Sequence, residues 1–143
     1  MNTNAIANLY PAPSPRFVDN GDGTITDNVL RLMWSKETNS LRNVNHEKAT
    51  KVCAELGLAA HNDWRLPTVE ELFALADRTR HSPAIDTEAF PDTHNDWYWT
   101  STTRAGDSSY AWIVYFDDGG SDNYHRDSSY AFVRAVRSLP PGQ

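Results

Sequence analysis

The chain has 143 residues, 39% of them hydrophobic and 22% charged, with a formal net charge of −6 at neutral pH. That length suits one domain with a real core, because halves of it would sit near the size at which cores become marginal. The acidic balance disfavours nucleic acid and anionic membrane as non-specific partners. No stretch approaches a membrane span, and the lone Cys53 excludes an internal disulfide and a multi-cysteine metal site.

Residues 1–15 carry Pro11, Pro13 and Pro15 among Ala, Asn and Ser and read as an extended lead-in; residues 16–143 read as one domain. Met1 to Arg16 shows neither the basic start nor the apolar run of a secretory signal. Cytoplasmic synthesis is expected, with phage association or surface display by a route that needs no signal. Arg16-Phe17-Val18 opens a strand, Asp19-Asn20-Gly21-Asp22-Gly23 turns, and Thr24 to Asp27 returns; a third strand covers Leu30 to Ser35. A first helix is predicted over Asn45–Leu56, with Ala49, Val52, Cys53 and Leu56 on one stripe, a cap at Asn43 or Asn45, and Gly57 after its end. A second helix follows Pro67. Thr68 and Glu71 form its capping box, Val69, Leu72, Phe73 and Ala76 its apolar stripe, and Arg78 stands near its end.

After an irregular stretch from Pro83 to Pro91, strands are expected at about 97–101, 110–116 and 131–137. In the middle one, Trp112, Val114 and Phe116 alternate with Ile113, Tyr115 and Asp117, which predicts a buried face and an exposed face. The turn Asp117-Asp118-Gly119-Gly120 folds the polar run 121–130 back beside it. Tyr110, Tyr115, Asp117, Asn123, Tyr124, His125 and Ser128 are therefore expected on one solvent-facing patch. The order of elements indicates an α+β fold, two helices packed on antiparallel sheets. Trp34, Trp64, Trp99 and Trp112 read as core. Tyr98, Tyr110, Tyr115, Tyr124 and Tyr130, interleaved with Ser, Asp and Asn, read as a ligand surface, where rigid aromatics supply contact area and small polar residues adapt. The word His-Asn-Asp-Trp occurs at 61–64 and again at 94–97 in different surroundings and reads as coincidence.

Seven words in fixed order carry a resemblance. They are Phe17 to Asp27, Leu32-Met33-Trp34, Ala49 with Cys53, Asp63-Trp64-Arg65-Leu66-Pro67-Thr68-Val69-Glu70-Glu71-Leu72, Phe90-Pro91, Trp99-Thr100-Ser101-Thr102 and Val133-Arg134-Ala135-Val136-Arg137. Over about residues 16–138 the chain resembles the C-terminal domain of bacterial collagen-like adhesins, a branch of the C-type-lectin fold. It is also similar to the variable proteins made by diversity-generating retroelements. Ala111-Trp112, Val114, Phe116, Gly119, Arg126 and Val133 to Arg137 fill that pattern's fixed places. Ser108, Ser109, Tyr110, Ile113, Tyr115, Asp117, Asp118, Asn123, Tyr124, His125, Asp127, Ser128 and Ser129 fall where it varies; with Arg104 they form the implied ligand-binding surface. Many of these types are reachable from an asparagine codon by changing adenines. The resemblance implies termini that meet in one sheet and a protein or glycan ligand on a cell surface, with no cofactor and no membrane insertion. An undiversified adhesin or structural domain of the same fold stays open, and so does a degenerate enzyme. Many members of the family carry a cysteine where this chain has Ala135, a partner for one at the place of Cys53.

Chemistry is otherwise sparse, and an enzyme is not expected. Asp19, Asn20, Asp22 and Asp27 invite a calcium reading, but Leu30 stands where the closing Glu of a twelve-residue loop belongs, so turn chemistry is favoured. The Glu-Pro-Asn or Gln-Pro-Asp word of calcium-dependent lectins is missing. His46, His61, His81, His94 and His125 show no metal-ligand spacing. The fold is shared with formylglycine-generating enzymes, whose reactive cysteine pair one cysteine cannot supply. Cys53 lies on a helix stripe and reads as core rather than nucleophile, and Arg65 reads as a structural partner for a carboxylate.

Overall fold

The computed structural model describes residues 15–41 and 43–141; of the lead-in read at 1–15 only Pro15 falls among them. The described residues form two α-helices and two antiparallel sheets, the expected α+β layout.

Turn chemistry builds the first sheet. Strands β1 (Phe17–Asp19) and β2 (Thr24–Asp27) are joined by a turn in which Gly21 and Gly23 take positive φ, at 78° and 89°. Asp19 accepts the Gly21 N–H and Asp22 accepts the Thr24 N–H, while Asn20 donates to the hydroxyls of Thr24 and Thr26. These side chains are thus spent on the turn. Strand β3 (Leu32–Ser35) pairs with β2, and β7 (Val136–Ser138) pairs with β3, so the first and last described strands share a sheet in the order β1-β2-β3-β7.

Asp27 anchors this sheet from within. It is fully buried, receives two bonds from Arg16 at 3.1 Å each and one from Trp34 Nε1 at 3.1 Å, and caps the N–H groups of Val29 and Leu30. Burial alone would raise its pKa, but the bonds from Arg16, Leu30 and Trp34 outweigh it and hold the carboxyl below its ordinary range.

Helix α1 (His46–Ala54) starts at Asn45, whose side chain accepts the Lys48 N–H. It ends two residues before the predicted Leu56, and Gly57, at φ 61°, begins a short 3-10 turn instead. Helix α2 (Val69–Leu75) carries the predicted capping box, with Thr68 and Glu71 exchanging bonds. It stops at Leu75 rather than near Arg78, because Ala76 is extended and the Asp77 N–H turns to the Ala84 carbonyl. Its buried positions are Leu72 and Leu75; Phe73, predicted for the stripe, is exposed and lies under the Arg78 guanidinium at 3.8 Å.

The second sheet runs β4 (Trp97–Arg104), β5 (Asp107–Tyr115), β6 (Gly120–His125). Both faces of β5 are covered in its second half, from Ala111 on. Ala111 and Ile113 join Ala49 and Cys53 of α1 with Trp99, while Val114, and Phe116 just beyond the strand, join Leu72 and Leu75 of α2 with Tyr98. Burying each large apolar side chain this way contributes roughly 1.5–3 kcal/mol. The alternation predicted from sequence is therefore corrected. Ile113 is 0% exposed, and Trp112, expected in the core, is half-buried beside Val69, Glu70, Phe73 and Ser121.

The strand predicted over 131–137 is a connector between the sheets. Ala131 bridges Val44, Phe132 bridges Tyr98, and only from Val136 does it run as a strand. Three arginines lock the frame around it. Arg65 forks onto Glu71 at 2.8 and 2.9 Å, and Arg137 forks onto Asp63 at 2.7 and 3.2 Å. Arg134, 1% exposed, donates to the Ser35 and Lys36 carbonyls at 2.8 and 2.6 Å and to Thr93 at 2.9 Å. Its guanidinium also lies 4.8 Å from the Phe90 ring centre. Cys53 and Ala135 both sit buried in the cluster on the α1 side. Burial pushes the Cys53 thiol up to about 12, which keeps it protonated and unreactive.

Candidate ligand-binding surface

Residues paired directly across an antiparallel sheet lie on the same face. The register pairs Tyr115 with Gly120, Ile113 with Asp122 and Ala111 with Tyr124; between them it pairs Tyr110 with His125, Trp112 with Asn123 and Val114 with Ser121. The residues expected on one patch therefore divide between two faces. Tyr115 and Tyr124 lie on the α1 face, whereas Tyr110, Asn123 and His125 lie on the α2 face with Trp112. Tyr98 lies on that second face too, fully buried, and is no part of any surface.

The α1 face carries a continuous group of rings. Trp97 pairs with Tyr115 across β4 and β5, and their rings stack at 4.3 Å and 16°. Tyr124 lies 5.6 Å from Trp97, tilted by 52°, and meets Tyr130 edge-on at 6.1 Å. Trp97, Tyr115 and Tyr124 are half-buried and Tyr130 is 63% exposed. On the same face Trp97 and Tyr124 pack against the cluster that holds Ile113, Trp99 and Ala111, so the ring group leans on packed core. Stacked and edge-on pairs add about 0.5–1.5 kcal/mol beyond burial, and this stiffens the group.

The α2 face carries a smaller group. Tyr110 meets His125 edge-on at 5.3 Å, and the Arg104 guanidinium lies 5.4 Å from the Tyr110 ring centre. Asn123 is half-buried beside them.

The remaining candidates lie at the two ends of the sheet. At one end Ser108 is exposed, Ser109 bonds Asp107, Asp127 donates its N–H to His125 Nδ1 at 3.2 Å, Ser128 donates its N–H to the His125 carbonyl at 2.9 Å, and Ser129 is exposed. At the other, Asp117 accepts from the Ser82 hydroxyl at 2.7 Å and Asp118 caps the Gly120 N–H at 2.9 Å. The structure thus joins Tyr115 and Tyr124 into one surface and sets Tyr110, Asn123, His125 and Arg104 apart from it. Ile113 is withdrawn from the contact surface, since a fully buried side chain touches no ligand.

Trp97 and Asp96 belong to the surface and were missed. The signal for Trp97 was its parity with Trp99, two residues on in the same strand. Partial burial first, then the carboxylates of Asp117, Asp96 and Asp118, push the Tyr115 hydroxyl above its ordinary range. A concavity of about 600 Å³ lies elsewhere, between β1 and the end of α2, and is bordered by Pro15, where the described chain begins.

Among the described residues no cluster of three or more His, Cys, Asp or Glu is placed to hold a metal. His46 is buried and joins three elements. Its Nε2 lies 2.8 Å from the Thr100 carbonyl, its Nδ1 accepts from Arg126 Nε at 3.1 Å, and its ring meets Trp99 edge-on. These partners fix the neutral tautomer with the proton on Nε2, and burial lowers the pKa.

A frame of paired charges carries the ring group, and the family to which the chain belongs makes it a ligand-binding domain of adhesin type. The chain belongs to the Lcl C-terminal domain family, whose model matches residues 23–137. It is a C-type-lectin-like family of diversity-generating-retroelement variable proteins. No curated protein matches the chain.

Proposed function

We propose that the domain has the C-type-lectin fold and binds, without catalysis, a macromolecular ligand on a cell surface through the α1 face of the second sheet. Trp97, Tyr115, Tyr124 and Tyr130 are the anchors. The observation that carries this reading is the ring group itself: four aromatics linked in a chain of contacts, three of them half-buried and one exposed, on a strand-backed platform. Aromatic anchors of this kind dominate binding surfaces because they bring large contact area at low entropic cost. Diversification of the segment from Arg104 to Tyr130 by a retroelement belongs to the same proposal, supported by the family and by residue types within adenine changes of an asparagine codon. The alternative is an undiversified adhesin domain of the same fold.

Two experiments test this. Screening the full chain against cell-surface proteins and glycans, with a Tyr115→Ser/Tyr124→Ser/Tyr130→Ser variant in parallel, should yield ligands that the variant loses while it stays folded. Ligands retained in full by the variant would place the site elsewhere. Sequencing the neighbouring DNA should find a reverse transcriptase and a near-copy of the 3′ end of the gene that differs at adenines. Their absence would leave the undiversified adhesin.

A further inference from the structure

The ring group is bordered by carboxylates along one side. Asp96 lies next to Trp97, and its carbonyl accepts the Phe116 N–H at 2.9 Å, which places it at the end of β5 beside Tyr115. Asp117 and Asp118 follow Tyr115 in the turn. Asp122 is exposed and sits on the same face, between Gly120 and Tyr124 along β6.

Gly120 is the residue paired with Tyr115, so no side chain stands on that flank of the ring. A Cβ built there would meet only the Asp118 carboxylate, with Oδ1 at 3.1 Å and nothing but that carboxyl group within 4 Å. The result is an open notch with a tyrosine ring on one side and a carboxylate on the other. That pairing is suited to a cation, which the ring face and the anion attract together. The carboxylates next to Tyr115 also act on its hydroxyl, as its raised pKa records.

Resting on the reading that this face binds, we infer that its ligand is a basic segment of a partner protein, with a Lys or Arg seated in the Gly120 notch between Tyr115 and Asp118. Charge complementarity selects this occupant. Asp96, Asp117 and Asp118 lie around Tyr115 and Asp122 stands exposed on the same face, and several carboxylates match several cations on one chain better than a single quaternary ammonium group. A sulfated or otherwise anionic glycan meets the same carboxylates as repulsion, reinforced by the net charge of −6.

The test is calorimetric titration of the full chain with a short Lys/Arg-rich peptide, its Gln counterpart, phosphocholine vesicles and heparin. Three variants accompany it. Asp118→Asn/Asp122→Asn removes charge and keeps the Gly120 cap. Gly120→Ala fills the notch and, with its Cβ 3.1 Å from Asp118 Oδ1, nudges that carboxylate aside while keeping its charge. Tyr115→Ser/Tyr124→Ser removes the rings. The basic peptide should bind, more weakly as salt rises, and each variant should weaken it about tenfold or more while it stays folded, the tyrosine variant melting somewhat lower for its lost ring contacts. The Gln peptide and heparin should not bind. Heparin, the Gln peptide or phosphocholine vesicles binding through Tyr115 and Tyr124, indifferent to the aspartates, would overturn the basic-segment inference and leave the binding face standing. Binding of the basic peptide that ignores the tyrosine and Gly120 variants would overturn it too, as diffuse charge attraction. Binding of none of the four probes would also end the inference. The binding face itself would fall only if the cell-surface screen found no ligand that depends on these tyrosines.

Discussion

The two sheets use the same polar residue types to opposite ends. In the four-stranded sheet and its surroundings nearly every charge has a partner: Asp27 holds Arg16 and the Trp34 indole, Asp63 holds Arg137, and Glu71 holds Arg65 while capping its own helix. In the three-stranded sheet Asp118 and Asp122 bond only nearby backbone, and the tyrosine rings lean on one another. Polar groups that satisfy each other make a frame. Polar groups left facing solvent, held still by packed rings, make a surface for something else.

Substitutions break or sharpen this contrast in graded order. The largest effect is expected in the frame. Arg134→Leu strands the buried Ser35 and Lys36 carbonyls, and Asp27→Ala strands a cation and an indole N–H. Each should lower stability by about 3–5 kcal/mol in denaturant titration, the range for breaking a buried charged network. Trp99→Ala should cost about 3–5 kcal/mol, as for a large core aromatic. Trp112→Ala, half-buried on the α2 face, should cost about 1–2 kcal/mol, in proportion to its smaller burial. Equal losses at the two tryptophans would mean that β5 is buried differently from the register described.

The histidine seam offers a subtler test. His46 is neutral in the folded protein with its pKa lowered by burial, while the unfolded chain titrates near 6.5. The unfolded state therefore takes up the proton first, so the stabilisation is present above about pH 6.5 and is lost as pH falls through the folded value. Melting temperature should decline as pH drops below 6.5, and His46→Gln should flatten that slope. Asp27, Asp63 and Glu71, with lowered pKa values, also stabilise at neutral pH and lose that stabilisation only at more acidic pH, below their unfolded values near 4. A slope unchanged in His46→Gln would assign the titration to another group. The smallest effect belongs to the ring face: the Tyr115, Tyr124 and Tyr130 triple variant should shift stability by about 0.5 kcal/mol per exposed position, somewhat more at stacked Tyr115.

What could be read from the chain was its local chemistry. The Asn45 cap, the Thr68–Glu71 box and the Asp-Asn-Gly turn are short-range bonds between neighbours in sequence, and all three form. What failed depended on the third dimension. Alternation assumes that one face of a strand is wet, yet Ala111-Trp112-Ile113-Val114-Tyr115-Phe116 is an unbroken apolar run, the mark of a strand covered on both sides. The parity of 110 with 112 already set Tyr110 beside Trp112, and so apart from Tyr115. Strand β6, with Ser121, Asp122 and Asn123, has little strand propensity of its own; pairing with β5 supplies it. Arg134 gave no signal, because a buried arginine is recognisable only by the carbonyls that surround it.

Ile113 sits on the same face as the rings, buried in the cluster with Ala49 and Cys53 of α1 and out of reach of any ligand. If the surrounding segment is rewritten codon by codon, this position is rewritten with it. Asp, Asn or Ser at 113 would put an unpaired polar group among Trp99, Cys53 and Val133, at a cost of several kcal/mol, comparable to the whole stability of a small domain. Tyr at 113 would overfill the same space. A population of variants built on this scaffold would lose members before any ligand is met, and the survivors would be enriched for aliphatic side chains at 113. Sequencing folded against unselected clones would read that filter directly, as the one column of the variable run where solubility, and not affinity, decides which letters persist.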